Sequence, residues 1–176
     1  LSTGKAQGWV RALAGCQNDI WSGSACTASS SGNANGINVS TVGEITPASG
    51  GEVMLAAEYG GYLYLSRDSG VTWTQIKSPG TAVWLGTAMS ADGSKMVAVK
   101  GSGYIYTSID GGVTWVARTS AGSRSWSDVA MSSDGKRIVA SADGGYIYTS
   151  IDGGVTWVAR TSAGSRSWND IVASDD

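Results

Sequence analysis

Between residues 126 and 160 the chain alternates short apolar or aromatic runs with clusters of Gly, Asp and Ser. Ser127-Asp128-Val129-Ala130-Met131 reads as a short strand, and Ser132-Ser133-Asp134-Gly135 as turn chemistry. Lys136-Arg137-Ile138-Val139-Ala140-Ser141 reads as a second strand, ended by Ala142-Asp143-Gly144-Gly145. Tyr146-Ile147-Tyr148-Thr149-Ser150 alternates as a third, Asp152-Gly153-Gly154 turns the chain, and Val155-Thr156-Trp157-Val158-Ala159-Arg160 is the fourth. Short β-branched and aromatic runs separated by Asp-Gly and Gly-Gly turns predict an antiparallel four-stranded meander. No stretch carries a sustained helical period with caps.

This pattern is periodic. Residues 103–126 recur letter for letter as 145–168, a shift of 42 residues, and a looser copy occupies 61–84. A fixed period of that size marks a repeat architecture, in which one meander cannot cover both of its faces and neighbouring copies must do so. Four strands per unit predict an all-β fold, a β-propeller of four-stranded antiparallel blades. A β-solenoid is the competing arrangement, although its coils are usually shorter. The regular blades are expected at 43–83, 84–125 and 126–167. Residues 168–176 repeat only a first strand, and residues 1–42 hold strand-like runs for a degenerate blade. A closed ring of four blades, with the C-terminal strand completing the N-terminal blade, is the expected arrangement. A fragment of a longer chain and two chains sharing a larger ring are the alternatives.

The turn before each fourth strand carries the most specific motif. Ser66-Arg67-Asp68-Ser69-Gly70-Val71-Thr72-Trp73, Ser108-Ile109-Asp110-Gly111-Gly112-Val113-Thr114-Trp115 and Ser150-Ile151-Asp152-Gly153-Gly154-Val155-Thr156-Trp157 share Ser-x-Asp-x-Gly-x-Thr-Trp. Asp at a tight turn accepts bonds from backbone N–H groups and nearby hydroxyls, Gly supplies positive φ, and Trp covers the hairpin. The motif resembles the Asp box of BNR-type β-propellers, a family that includes sialidases, sortilin-type receptors and the photosystem II assembly propeller. The resemblance covers about residues 43–176 and implies a propeller. It also implies a structural role for Asp68, Asp110 and Asp152 with Trp73, Trp115 and Trp157, because in the sialidases the boxes are peripheral and not catalytic.

Composition narrows the chemistry. Charged residues are 15 % of the chain and formal net charge is −2, with no clustered basic patch of the kind a polyanion-binding surface needs. No apolar run approaches the roughly 18 to 20 residues that span a bilayer, so the chain reads as soluble. The absence of His removes the commonest general base near neutral pH and the commonest zinc ligand. No metal or cofactor is expected. Cys16 and Cys26 are candidates for a local disulfide, with two unrelated free thiols as the alternative. Asn38-Val39-Ser40 fits the N-glycosylation acceptor pattern. Both features point toward an extracellular or organelle-lumen setting.

Candidate binding groups follow from the propeller reading. Arg124-Ser125-Trp126 and Arg166-Ser167-Trp168 each set a guanidinium, a hydroxyl and an indole together, and Trp84 opens the first such strand. A flat aromatic beside donors stacks on a sugar or holds an acidic side chain; the competing role is filling the wedge between blades. Tyr59, next to Glu58, belongs to a loop set that varies between units as Lys100-Gly101 and Asp143-Gly144. Glu44, Asp128 and Asp170 occupy equivalent first-strand positions, with Gly86 in the fourth, and are candidates for channel-lining carboxylates. No distinctive carboxylate pair stands out for a glycosidase. The expected function is non-enzymatic recognition or scaffolding, binding a glycan or a protein partner through the loop face. The alternatives are an assembly subunit of a larger complex, with a homo-oligomer also open, and a sialidase-like glycosidase.

Overall fold

A computed structural model describes residues 19–21, 26–28 and 42–174, and for 19–21, 26–28 and 42–44 the description concerns the backbone. The pairing of Cys16 with Cys26, the glycosylation triplet at Asn38 and most of the degenerate first blade therefore lie outside the described residues. Within them, β1 (Asp19–Trp21) and β2 (Cys26–Ala28) form an antiparallel pair.

Three four-stranded antiparallel meanders follow, all-β as expected. The first is β3 (Val42–Pro47), β4 (Met54–Gly61), β5 (Leu63–Ser66) and β6 (Thr74–Ile76). The second is β7 (Ala82–Met89), β8 (Met96–Lys100), β9 (Ile105–Ser108) and β10 (Val116–Arg118). The third is β11 (Trp126–Met131), β12 (Ile138–Ala142), β13 (Ile147–Ser150) and β14 (Val158–Arg160). Short 3-10 turns, Thr119–Ala121 and Thr161–Ala163, close the second and third units.

Turn chemistry shortens the strands relative to the sequence pattern. The second strand of the last unit starts at Ile138, because the N–H groups of Lys136 and Arg137 are taken by the Asp134 carboxylate and the Ser132 hydroxyl. The fourth starts only at Val158, because the turn motif extends to Trp157, whose Nε1 donates back to the Gly154 carbonyl at 2.9 Å. A buried N–H or C=O that finds a side-chain partner no longer needs a ladder partner.

Neighbouring units pack through their first strands: β7 lies between β3 and β11. The Thr46 hydroxyl donates to the Thr87 carbonyl at 3.0 Å across one of these contacts. At the other, a Cβ on Gly86 would sit 2.8 Å from Asp128 Oδ1 and 3.0 Å from its Cα, so the approach requires glycine. Each first strand also carries a register irregularity at the same repeat position, between Val42 and Glu44, Trp84 and Gly86, and Trp126 and Asp128. An added residue of this kind bends the strand and increases its twist. Two apolar clusters fill the interior, one around Leu55, Leu63, Trp84 and Met96, the other around Val97, Ile105, Trp126 and Ile138.

The first two units are less separate than the pattern predicts. Strand β4 runs on to pair with β7 through Tyr59 and Val83 and through Gly61 and Ala82, making one eight-stranded sheet. At the equivalent junctions the contact shrinks to single bridges, Gly103 with Arg124 and Gly145 with Arg166. At the far end, residues 168–174 carry no strand pairing among the described residues. They lie against the third unit through Trp168 Nε1 to the Gly145 carbonyl (3.2 Å) and the Ile171 N–H to Asp128 Oδ2 (2.8 Å). That is the station a first strand of a further unit would take.

Candidate binding face

The turn motifs form three copies of one hydrogen-bonded cage. In the second, the Ser108 hydroxyl donates to Asp110 Oδ1 at 2.8 Å and accepts the Gly112 N–H at 2.9 Å. Thr114 donates its N–H and hydroxyl to the two carboxylate oxygens at 2.9 and 2.6 Å, and Trp115 Nε1 donates to the Gly112 carbonyl at 3.1 Å. Asp152 and Asp68 repeat the arrangement with Thr156 and Thr72. The Thr hydroxyl above all holds the Asp110 and Asp152 carboxyls down to about 2, and Asp68 is lowered by the same cause. These aspartates spend their lone pairs on the turn itself. Trp115 and Trp157 are buried beside them, and Trp73 is half-buried.

Gly112 and Gly154, both at positive φ, carry the close approach between units. A Cβ at Gly154 would lie 2.8 Å from Thr107 Cγ2. Sequence reasoning passed over a second cage at the tip of the first hairpin. There the Ser90 hydroxyl donates to Asp92 Oδ1 at 2.6 Å and accepts the Lys95 N–H at 3.0 Å, and the Asp92 carboxyl falls to about 2. Ser132 and Asp134 repeat this pairing. Backbone bonds join these tips across units, from Ser49 N–H to Ala91 O and from Ala91 N–H to Ser133 O, each 2.9 Å. The signal was present as Ser-x-Asp-Gly in both hairpins.

At the opposite end, the loops entering each unit meet the loops between second and third strands. Gly101 N–H donates to Val83 O at 3.0 Å, and Asp143 N–H to Ser125 O at 2.8 Å. The indoles expected to face a ligand here do not. Trp84 is 1 % exposed and Trp126 0 %. Each turns inward and meets a tyrosine edge-on, Trp84 with Tyr106 at 5.7 Å and Trp126 with Tyr148 at 5.1 Å. Burying a large apolar ring outweighs leaving it at the surface by roughly 25 cal/mol per Å². Trp126 Nε1 donates to Gly103 O at 2.9 Å, whereas buried Trp84 Nε1 has no partner among the described residues. Trp168 is half-buried.

The arginines stay outside. Arg124 Nε donates to Ala121 O at 2.9 Å while its guanidinium lies over Tyr148, 4.6 Å from the ring centre. Arg166 Nε makes the same bond to Ala163 O at 3.1 Å. The expected sugar platform is thus an Arg–Tyr–Trp stack with its indole in the core.

Of the carboxylates expected to line a channel, Asp128 has defined hydrogen-bond partners. Asp128 is 5 % exposed; its Oδ1 accepts the Val129 N–H and its Oδ2 the Ile171 N–H, both at 2.8 Å. It joins the third unit to the segment beyond. Asp170 is exposed, and the Glu44 side chain lies outside the described residues.

What the loop face does present is apolar. Tyr59 is 60 % exposed, Val83 39 % and Leu85 38 %. Tyr59 and Val83 are cross-strand partners, so they share a face, and a Cβ on Gly101 would touch both Leu85 (3.2 Å) and Val83 (3.8 Å). The equivalent positions one period later are Gly101, Ser125 and Ser127, and one period later again Asp143, Ser167 and Asn169. Val83 and Leu85 escaped sequence reasoning, although comparison of the repeats position by position reveals them.

The sequence matches no family model, and no curated protein matches it significantly. Among solved structures, a GH74 xyloglucanase from Xanthomonas campestris superposes with TM-score 0.60 at 16 % identity over 80 % of this chain and 26 % of its own. A GH74 enzyme of Niastella koreensis gives 0.53 at 23 % identity over 68 % and 22 %. YCF48 bound to D1 peptide gives 0.57 at 16 % over 68 % and 39 %. The chain thus spans well under half the length of these proteins. At such identities the likeness concerns fold alone, and these neighbours are propellers.

Proposed function

We propose that this chain is a non-enzymatic recognition or scaffold module that docks a protein partner through its loop face. The observation that carries this reading is the exposed group Tyr59, Val83 and Leu85, set on the rim where the neighbouring repeats carry Gly, Ser, Asp and Asn. Exposed apolar side chains that cluster, with polar residues around them, mark interaction surfaces more often than scattered single ones do. Glycan binding, the companion expectation, loses two of its expected indoles to the core, Trp84 and Trp126, and keeps exposed Tyr59 and half-buried Trp168. YCF48, a protein of similar fold, was solved with a peptide bound, which supports a docking role for this architecture.

The test uses the repeats as a guide. Val83→Ser with Leu85→Ser installs the residues found at Ser125 and Ser127. Cross-linking and pull-down from source cells is expected to recover one stoichiometric partner with the wild-type chain and to lose it with the double variant. A glycan-array signal competed by free sugar would replace this reading with a lectin. Turnover of xyloglucan or a simple glycoside would replace it with a hydrolase, the activity of the similar xyloglucanase.

A further inference from the structure

A cleft of about 550 Å³ runs along β6, the outer strand of the first unit, from the first Ser-x-Asp turn to the start of the loop after β6, and is closed on one side by the second turn. Its floor is aliphatic, Leu65 and Ile76, and Val113, 73 % exposed, stands at its mouth. Its rim carries Arg67, Thr74, Gln75 and Lys77. A cavity of this size with an apolar floor and a few polar groups has the form of a ligand site.

The neighbouring repeats act as an internal comparison. The turn residues Ser, Asp, Gly, Thr and Trp are kept in all three units, but the cleft residues change together. Arg67 corresponds to Ile109 and Ile151, Thr74 to Val116 and Val158, Gln75 to Ala117 and Ala159, and Lys77 to Thr119 and Thr161. On the floor, Leu65 and Ile76 stand where the later units hold Thr107 with Arg118 and Thr149 with Arg160. Those pairs hydrogen-bond at 2.6 and 2.7 Å and occupy the space. The gap between the second and third turns is further tied by the Ser120 hydroxyl donating to Val155 O at 2.9 Å.

Charge and shape select the occupant. Arg67 Nη2 donates to Gly111 O at 2.6 Å, which holds the guanidinium across the cleft, and a Cβ at Gly111 would come within 2.9 Å of that nitrogen. Lys77 is exposed toward the other end of the cleft, three residues past Thr74, the partner of Leu65. The one carboxylate in the lining, Asp68, is engaged by Ser66 and Thr72. Two cations therefore face one committed anion. Among the described residues no aromatic ring lines the cleft, which therefore offers a sugar no stacking platform there.

We infer that this cleft binds an acidic peptide segment of a partner protein, seating an aliphatic side chain on Leu65 and Ile76 and flanking carboxylates on Arg67 at one end and Lys77 at the other. This site includes none of Tyr59, Val83 and Leu85 and does not rest on the reading given for them.

The probe is a fluorescein-labelled, amidated peptide Ala-Glu-Leu-Glu-Val-Ala, titrated with the full chain by fluorescence polarisation. Saturable binding is expected, weakening as salt rises from about 0.05 to about 0.3 M. Arg67→Ile with Lys77→Thr, residues the later units already accommodate, should weaken it by about tenfold or more, as loss of charge-assisted contacts implies. Lys77→Glu alone, at an exposed side chain, should weaken it in the same direction. The peptide with Gln in place of Glu should bind less well, and Val83→Ser with Leu85→Ser should leave affinity unchanged. No saturable binding up to about 1 mM peptide would overturn the inference, since specific recognition is scarcely weaker than that. Unchanged affinity in the Arg67/Lys77 variant, or binding of an oligogalacturonate in place of the peptide, would overturn it equally.

Discussion

Ser108 is 2 % exposed, donates to Asp110 and accepts the N–H of Gly112, so removing its hydroxyl strands a buried donor. Ser108→Ala is expected to cost about 1–3 kcal/mol in a urea titration, the desolvation penalty of an unpaired buried group. The aspartates of these turns give the fold its acid sensitivity. Hydrogen bonds from neighbouring hydroxyl and N–H groups hold the Asp92, Asp110 and Asp152 carboxyls down to about 2 in the folded chain, below the ordinary aspartate value of 3.8. A depressed folded value means that the unfolded chain binds more protons between those limits, so stability rises with pH there. Their contribution is complete above about pH 5 and is lost as pH falls from about 4 through 2. Thermal midpoints measured across that window should drop steeply, and Asp110→Asn with Asp152→Asn should flatten the profile. All of this was legible in the sequence, because every partner lies within four residues of its aspartate.

Strands and their packing were legible in part. Tyr146 to Ser150 alternates as a strand should, and the structure pairs Ile147–Ser150 on both sides. The direction in which Trp84 and Trp126 face was not, because an indole opening a strand satisfies a surface stack and a core wedge equally well. Position in the assembled sheet decides it: each ring meets a tyrosine of its own unit's third strand. Trp126→Ala should therefore cost about 3–5 kcal/mol, the usual penalty for deleting a buried aromatic, and half-buried Trp168→Ala distinctly less. The two buried indoles differ in one respect, since among the described residues Trp126 has an Nε1 partner and Trp84 has none. Trp126→Phe should consequently be more destabilising than Trp84→Phe by about 1 kcal/mol, the net value of one hydrogen bond, as read from paired denaturant curves.

Across the whole molecule, units are held by close backbone approach and by side chains that reach over the junction. Gly86→Ala would press a methyl against Asp128, and a loss of about 1–3 kcal/mol is expected for such overpacking. Asp128→Ala removes the acceptor of the Ile171 N–H, so amide exchange at Ile171 should accelerate and Trp168 emission should shift to the red, while the exchange of β4 and β8 stays slow. That outcome would show that the 168–174 segment is held to the third unit by the Asp128 carboxylate.

The sequence alone determined the units, their four strands and their turn cages, because those depend on residues near one another in the chain and recur every 42 positions. Tertiary structure decided which side chains remain at the surface. Period and alternation treat Trp126 and Val83 by residue type, yet packing buries the first and leaves the second beside Tyr59 and Leu85. It also decided that the first inter-turn gap is open. The Arg118–Thr107 bond and its repeat at Arg160 and Thr149 fill the place that Leu65 and Ile76 leave as an aliphatic floor. Whether two side chains eleven residues apart fill a space or line it depends on the strands that bring them together, and no local pattern records that.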